Sequence, residues 1–181
     1  MTEEVRLGPV DGPIVLVGLM AAGKTTVGRM LANGCGLYFV DLDREIERRA
    51  GMSVAELFAS KGESAFRELE AATSLDLAPG SDTVVAVGGG WMSNLTARQA
   101  WPDARIVWLV VSPVVAALRA SSQPTSRPLL EGVDLQRELE RLLAQRLPAY
   151  AEATYTVDTD GSGVEEIVAE IAHLVGLSYS T

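Results

Sequence analysis

The run Gly18-Leu19-Met20-Ala21-Ala22-Gly23-Lys24-Thr25 spells G-x-x-x-x-G-K-T between an apolar stretch, Ile14-Val15-Leu16-Val17, and a helical pattern beginning at Thr26. Placed between a strand and a helix, that spacing describes a loop that holds a polyphosphate. Successive backbone N–H groups at a helix N-terminus surround dense negative charge, and the glycines let the chain wrap closely around it. Ala21, Ala22, Gly23 and Thr26 would add main-chain contacts around the phosphates. Lys24 is expected to reach the outer phosphates, and the Thr25 hydroxyl to ligate Mg²⁺. The chain is expected to bind a nucleotide.

A second site for chemistry is Asp41-Leu42-Asp43 at the end of an apolar run. Carboxylates two residues apart at a strand's end point the same way, toward the edge where the phosphate loop lies. One would serve the Mg²⁺ shell and the other would take a proton from an attacking hydroxyl. Capping of the following helix is an equally open reading. Four further elements are each ambiguous alone. Arg67 in Gly62-Glu63-Ser64-Ala65-Phe66-Arg67-Glu68-Leu69-Glu70 has helical ion-pair spacing to Glu63 and Glu70. Gly88-Gly89-Gly90 ends an apolar strand, and is either a tight turn or a place where backbone meets ligand. Arg127-Pro128-Leu129-Leu130 lies in a polar, helix-breaking segment, and Arg146-Leu147-Pro148-Ala149-Tyr150 closes a helix against a proline.

The elements that must carry these residues alternate, strand-like then helix-like, which predicts a mostly parallel sheet covered by helices. Strands are expected at Ile14–Val17, Leu37–Val40, Thr83–Val87, Ile106–Val111 and Thr154–Val157, apolar enough to be buried on both faces. Helices are expected at Lys24–Asn33, Arg44–Ala50, Val54–Ser60 and Glu63–Leu77. Others follow at Leu95–Trp101, Pro113–Ala120, Leu135–Leu147 and Val164–Val175. Ser53 with Glu56 reads as a capping box, Ser112-Pro113 as a helix start, and Gly51 and Gly62 as helix stops. His173, the only histidine, falls off the apolar stripe of the last helix and should face solvent. The polar segment after the sixth predicted helix, within about 112–133, reads as a lid inside a single domain spanning 1–181.

Composition bounds the partners. The 181 residues carry a formal charge of −9, which argues against nucleic acid and anionic membranes. Any affinity for phosphate must then come from locally placed cations and backbone dipoles. One cysteine, Cys35, excludes an intrachain disulfide and a cysteine-based zinc site. The start MTEEVRLGPVDG lacks the apolar core of a secretory signal, so a cytoplasmic location is expected.

Six elements in this order resemble one family, shikimate kinase, over about Ile14 to Asp158. They are the G-x-x-x-x-G-K-T-T-x-G loop, the D-x-D pair, G-E-x-x-F-R-x-x-E, the G-G-G turn, R-P-L-L and R-x-P-x-Y. The resemblance implies an α/β three-layer sandwich, a five-stranded parallel sheet flanked by helices, with a mobile lid. It implies ATP and Mg²⁺ as cofactors and a monomer that moves the γ-phosphoryl of ATP onto the 3-hydroxyl of shikimate, a small-molecule substrate. By the same resemblance Lys24, Asp43 and Arg127 are catalytic. Thr25 and Asp41 hold the metal, Asp41 through water. Asp43, Arg67, Gly88, Gly89, Gly90 and Arg146 bind the acceptor, the two arginines gripping its carboxylate and Asp43 its ring hydroxyls. Arg127 closes over the transferred group.

The chain departs from the family pattern at three places. Ala21 stands where many relatives have glycine, and its Cβ is expected to impose an ordinary L-residue backbone angle and reshape the loop. Ala120 stands where an arginine often stacks on adenine, with Arg119 one residue earlier. Trp91 is expected to crowd the acceptor floor. A related kinase acting on gluconate or a modified shikimate is the nearest rival, and would relax the need for Arg67 and Arg146 together. A nucleoside monophosphate kinase is a more distant one. A nucleotide-dependent switch is disfavoured, because the N-K-x-D element of GTPases is absent from the sequence.

Overall fold

A computed structural model describes residues 12–122 and 134–179. Five parallel strands form one sheet in the order β2-β3-β1-β4-β5. The strands are β1 Ile14–Val17, β2 Tyr38–Asp41, β3 Thr83–Ala86, β4 Arg105–Val110 and β5 Tyr155–Asp158. Seven α-helices among the described residues flank the sheet: α1 Lys24–Cys35, α2 Leu42–Ala50, α3 Val54–Leu77, α4 Leu95–Gln99, α5 Pro113–Ser121, α6 Leu135–Tyr150 and α7 Val164–Leu174. This is the expected α/β sandwich, and each parallel connection runs through a helix because the chain must return to the same end of the sheet.

Burial follows strand position. Central β1 is wholly inaccessible and β3 is buried throughout, as their unbroken apolar sequences require. The edge strands break the expectation of two-sided burial. Tyr38 in β2 is 70% exposed and β5 alternates, because an edge strand has a neighbour on one side only. The last helix packs its stripe Ile167, Val168, Ile171 and Ala172 into the core, and α7 lies against α1. His173 faces solvent in the last turn of α7.

Local signals hold at the helix ends. Ser53 Oγ accepts the Glu56 amide at 3.2 Å while Glu56 Oε2 accepts the Ser53 amide at 2.7 Å, completing the capping box. Gly62 breaks α3 at φ 82°, ψ 174°, where two helices were expected, so the segment carrying Arg67 starts afresh there. The sixth helix differs: α6 runs through Pro148 to Tyr150 instead of stopping at Leu147. A proline removes one amide donor and crowds the carbonyl four residues back, a penalty the helix bears in its last turn. The gain is that Tyr150 arrives fully buried.

Two expectations about the departures are corrected. Ala21 does not impose a right-handed backbone; it sits at φ 60°, in the left-handed region a glycine would adopt. The alanine takes that left-handed angle and carries its strain, about 1 kcal/mol. Ala21→Gly is therefore expected to raise Tm by about 2–4 °C in a thermal melt, with no gain overturning the strain assignment. Trp91 does not crowd the floor. It is fully buried, stacked on Trp101 at 5.2 Å, and its indole N–H donates to Ser74 Oγ at 3.2 Å.

Candidate active site

The elements that follow β1, β2 and β3 at one edge of the sheet, with α3 and α6, line a single cleft. β1 runs into the phosphate loop and then α1, whose N-terminal Gly23 sits at φ 90° with no side-chain cap. That leaves the first amides of α1 for an anion. Lys24 Nζ donates to the Gly18 and Leu19 carbonyls at 2.9 and 2.7 Å, so its ammonium lies over the loop. Thr26 is exposed on the first turn of α1. Ala22 is buried and its amide donates within the loop to Leu19 O at 3.3 Å, so its part is mainly to pack the loop onto the core.

Asp41 ends β2 and does two things at once. Its Oδ1 accepts the Arg44 amide at 3.4 Å as the cap of α2, and its Oδ2 accepts the Thr25 hydroxyl at 2.9 Å. The helix-cap reading of Asp41 holds, and its second oxygen remains turned toward Thr25. Asp43 reaches the same cleft by a route other than strand alternation. The strand stops at Asp41, and Asp43 is the second residue of α2, turned inward by the helix. It is largely buried, and its Oδ1 has no hydrogen-bond partner among the described residues. Burial, then the charge of Asp41, raises its pKa to about 6, while Lys24 pulls the other way and Glu70 and Glu47 add to the rise.

Oxygen donors at Thr25 and Asp41, beside a phosphate loop, suit Mg²⁺. That ion takes few protein ligands and relies on phosphates and water for the rest. No cluster of three or more His, Cys, Asp or Glu side chains able to hold a metal occurs among the described residues.

The three glycines after β3 are where the parts meet. A Cβ on Gly88 would lie 3.0 Å from Asp43 Oδ1 and 3.6 Å from Glu70 Oε1. On Gly89 it would lie 2.6 Å from Arg146 Nη1, 3.3 Å from the Gly18 carbonyl and 3.5 Å from the Tyr150 hydroxyl. On Gly90 it would collide with the Arg67 guanidinium, whose Cζ is 2.7 Å away. The glycines let both guanidinium groups lie close over the turn, and a Cβ at Gly89 or Gly90 would displace the arginine side chain above it.

The ion-pair ladder of Arg67 also exists. Nη2 meets Glu63 Oε1 at 3.3 Å and Nη1 meets Glu70 Oε2 at 2.8 Å, the latter carboxylate fully buried. Arg146 reaches the turn from α6, where Tyr150 braces it. The Tyr150 hydroxyl donates to the Gly89 carbonyl at 2.6 Å beside the Arg146 guanidinium, its ring packing on Trp108 at 5.5 Å. Burial raises the Tyr150 pKa, against the lowering charges of Arg146 and Arg67. Both cations therefore bear on one hydroxyl.

Arg127, and with it the second part of the expected lid, lies outside the described residues. The first part of that span is α5. On it Arg119 is engaged elsewhere, donating to the Thr159 carbonyl at 2.5 Å and hydroxyl at 3.1 Å. Sequence reasoning made Glu70 only an ion-pair neighbour of Arg67, and gave no role to Asn94 or Tyr150. Glu70 had a signal, since it stands four residues after Phe66 on the buried face of α3. Tyr150 had one too, at the end of the R-x-P-x-Y run. Asn94 carried only the weak mark of a helix N-cap.

A phosphate loop at the central strand, with a cation pair on the neighbouring strand's turn, defines a P-loop phosphotransferase for a small acidic acceptor. Comparison with known proteins narrows the class. Residues 20–175 match the family profile described as Shikimate kinase. The chain is 41% identical over 163 residues to a shikimate kinase of Moorella thermoacetica, covering 90% of this chain and 93% of that one. It is 43% identical over 161 residues to a shikimate kinase of Symbiobacterium thermophilum, covering 87% and 92%. The solved structure of a shikimate kinase from Acinetobacter baumannii in complex with shikimate superimposes with a TM-score of 0.83 at 34% identity, over 92% of this chain and 94% of that one. The chain belongs to the shikimate kinase family.

Proposed function

We propose that this chain transfers the γ-phosphoryl group of ATP to the 3-hydroxyl of shikimate, giving shikimate 3-phosphate and ADP, as a step toward aromatic amino acids. The observation that carries the reading is the convergence of Arg67 and Arg146 on Gly89 and Gly90, beside the Gly18 carbonyl of the phosphate loop. An acceptor that bridges such a site is small, carries a carboxylate at one end and presents hydroxyls at the other. Shikimate has that shape.

Arg67 and Arg146 grip the carboxylate, with the glycine turn beneath the ring. Asp43 takes hydrogen bonds from ring hydroxyls through the oxygen that has no partner among the described residues. The 3-hydroxyl oxygen attacks the γ-phosphorus, a P–O bond forms, and the bond to the β–γ bridging oxygen breaks to release ADP. The hydroxyl proton passes to the Asp43 carboxylate. Lys24 and the amides at the start of α1 balance the charge on the phosphates. Thr25 and Asp41 would hold Mg²⁺, which when bound neutralises and orients the phosphate oxygens. Arg127 supplies a further cation to the transferred group, and the segment within 112–133 closes to exclude water.

The assignment is tested by ADP release with shikimate, gluconate and a nucleoside monophosphate as acceptors. Turnover with shikimate alone is expected; strong turnover of gluconate with none of shikimate defeats the reading. Arg67→Ala removes one charged hydrogen-bonding partner of the carboxylate. It is expected to raise the KM for shikimate about tenfold to a hundredfold while the KM for ATP holds. An unchanged shikimate KM removes Arg67 from the clamp.

A further inference from the structure

The segment leaving the glycine turn does more than lead away from it. Residues Trp91–Ser93 form a short 3-10 turn and Asn94 opens α4. Along this stretch the chain is stitched to α3 at two successive levels. Trp91 Nε1 donates to Ser74 Oγ at 3.2 Å, and that hydroxyl donates to the Glu70 carbonyl at 2.8 Å. One turn earlier on α3, Asn94 Nδ2 donates both to the Arg67 carbonyl and to Glu70 Oε2, each at 2.9 Å.

Asn94 thus holds Arg67 twice. It fixes the backbone from which that side chain leaves, and it fixes the carboxylate on which the guanidinium rests, since Glu70 Oε2 also receives Arg67 Nη1 at 2.8 Å. The amide cannot turn over without loss. Its Oδ1 accepts the Ala97 amide at 3.3 Å as the cap of α4, which leaves the NH₂ end facing α3. The reverse orientation would press an oxygen against a carbonyl and a carboxylate, and leave an amide nitrogen against an N–H. Glu70 is fully buried, and its other oxygen has no partner among the described residues, so the bond from Asn94 is one of the two that hold it. Arg67 in turn lies against Gly90, four residues before Asn94 in the chain.

We infer that Asn94 is a positioning residue for the acceptor's carboxylate clamp: through Glu70 and the Arg67 carbonyl it sets where the Arg67 guanidinium stands above the glycine turn. The inference rests on the acceptor assigned above. A merely structural role, capping α4, makes a different forecast, because aspartate caps a helix as well as asparagine does. Asn94→Asp keeps the cap, deletes the donor and sets a second carboxylate against Glu70.

The test is steady-state kinetics on the full chain. Asn94→Asp is expected to raise the KM for shikimate about tenfold, with the KM for ATP within about twofold of wild type. In a Glu70→Gln background, where residue 70 becomes the donor, the added Asn94→Asp change is expected to cost less than about threefold, as coupled neighbours require. A wild-type shikimate KM in Asn94→Asp overturns the inference. So does an equal rise in both KM values, or the same penalty in both backgrounds. Should Asn94→Asp fail to fold, Asn94→Ser, which retains a capping oxygen, decides: a several-fold rise confined to the shikimate KM supports the role and no rise overturns it. The wild-type arm reads the acceptor separately, since a wild type inert toward shikimate defeats the assigned substrate and leaves the same comparison to be run with the acid it does phosphorylate.

Discussion

Asp43→Asn is expected to give a protein that melts higher than wild type at pH 8 and turns over about a hundredfold to ten-thousandfold more slowly. The two effects share one cause. Asp43 is largely buried near Asp41 and Glu70, so its charged form is costly, and its pKa stands near 6 in place of 3.8. A carboxyl whose folded pKa is raised binds its proton more readily folded than unfolded. Its contribution to stability is therefore best below the unfolded value and declines as pH rises through about 6. Above that, the charge costs up to about 3 kcal/mol, which an uncharged asparagine of the same shape does not. Thermal melts of metal-free protein at pH 5 and pH 8 check the sign: the advantage of Asp43→Asn should shrink toward acid pH. A variant that melts lower at pH 8, or keeps turnover within tenfold, contradicts the assignment.

Lys24→Ala is expected to cut turnover by at least about a thousandfold while leaving the fold and shikimate binding in place. The ammonium lies over the loop carbonyls of Gly18 and Leu19 and lowers the pKa of Asp43. Its loss removes the cation best placed for the outer phosphates and, secondarily, loosens the loop. Circular dichroism reads the fold. Tryptophan fluorescence reads acceptor binding, because Trp108 packs on the tyrosine that braces Arg146. Substantial residual activity takes Lys24 out of the phosphate site.

The parts of this molecule that were legible in its sequence are those where local chemistry and tertiary demand agree. The phosphate loop needs its glycines and its lysine wherever it occurs. Gly62 breaks α3 at a positive φ of 82°, a backbone angle that glycine adopts without cost. Where position in the sheet decides, sequence pattern falls short. Tyr38 lies on an apolar run yet is exposed, since only topology makes β2 an edge. Asp41 and Asp43 reach one cleft, but through a strand end and a helical turn, a junction that alternation does not describe. Trp91 looked like a neighbour of the floor because it follows three glycines. Its ring turns away to stack on Trp101, a partner ten residues further along the chain. Ala21 shows the reverse case, a residue that yields to the loop's geometry and not the loop to it. Glu70 and Asn94 escaped because their meaning lies in each other, across 24 residues of chain.

The strand order has a last implication for size. The phosphate loop leaves β1, the glycine turn proposed to lie beneath the acceptor leaves β3, and these strands are hydrogen-bonded neighbours. Adjacent strands stand about 4.8 Å apart, a spacing set by backbone hydrogen bonding and indifferent to side chains. The sheet thus works as a ruler between donor and acceptor. Evolution of this scaffold toward a bulkier acceptor must lengthen loops or shift the arginines, because the interval between the strands themselves is fixed.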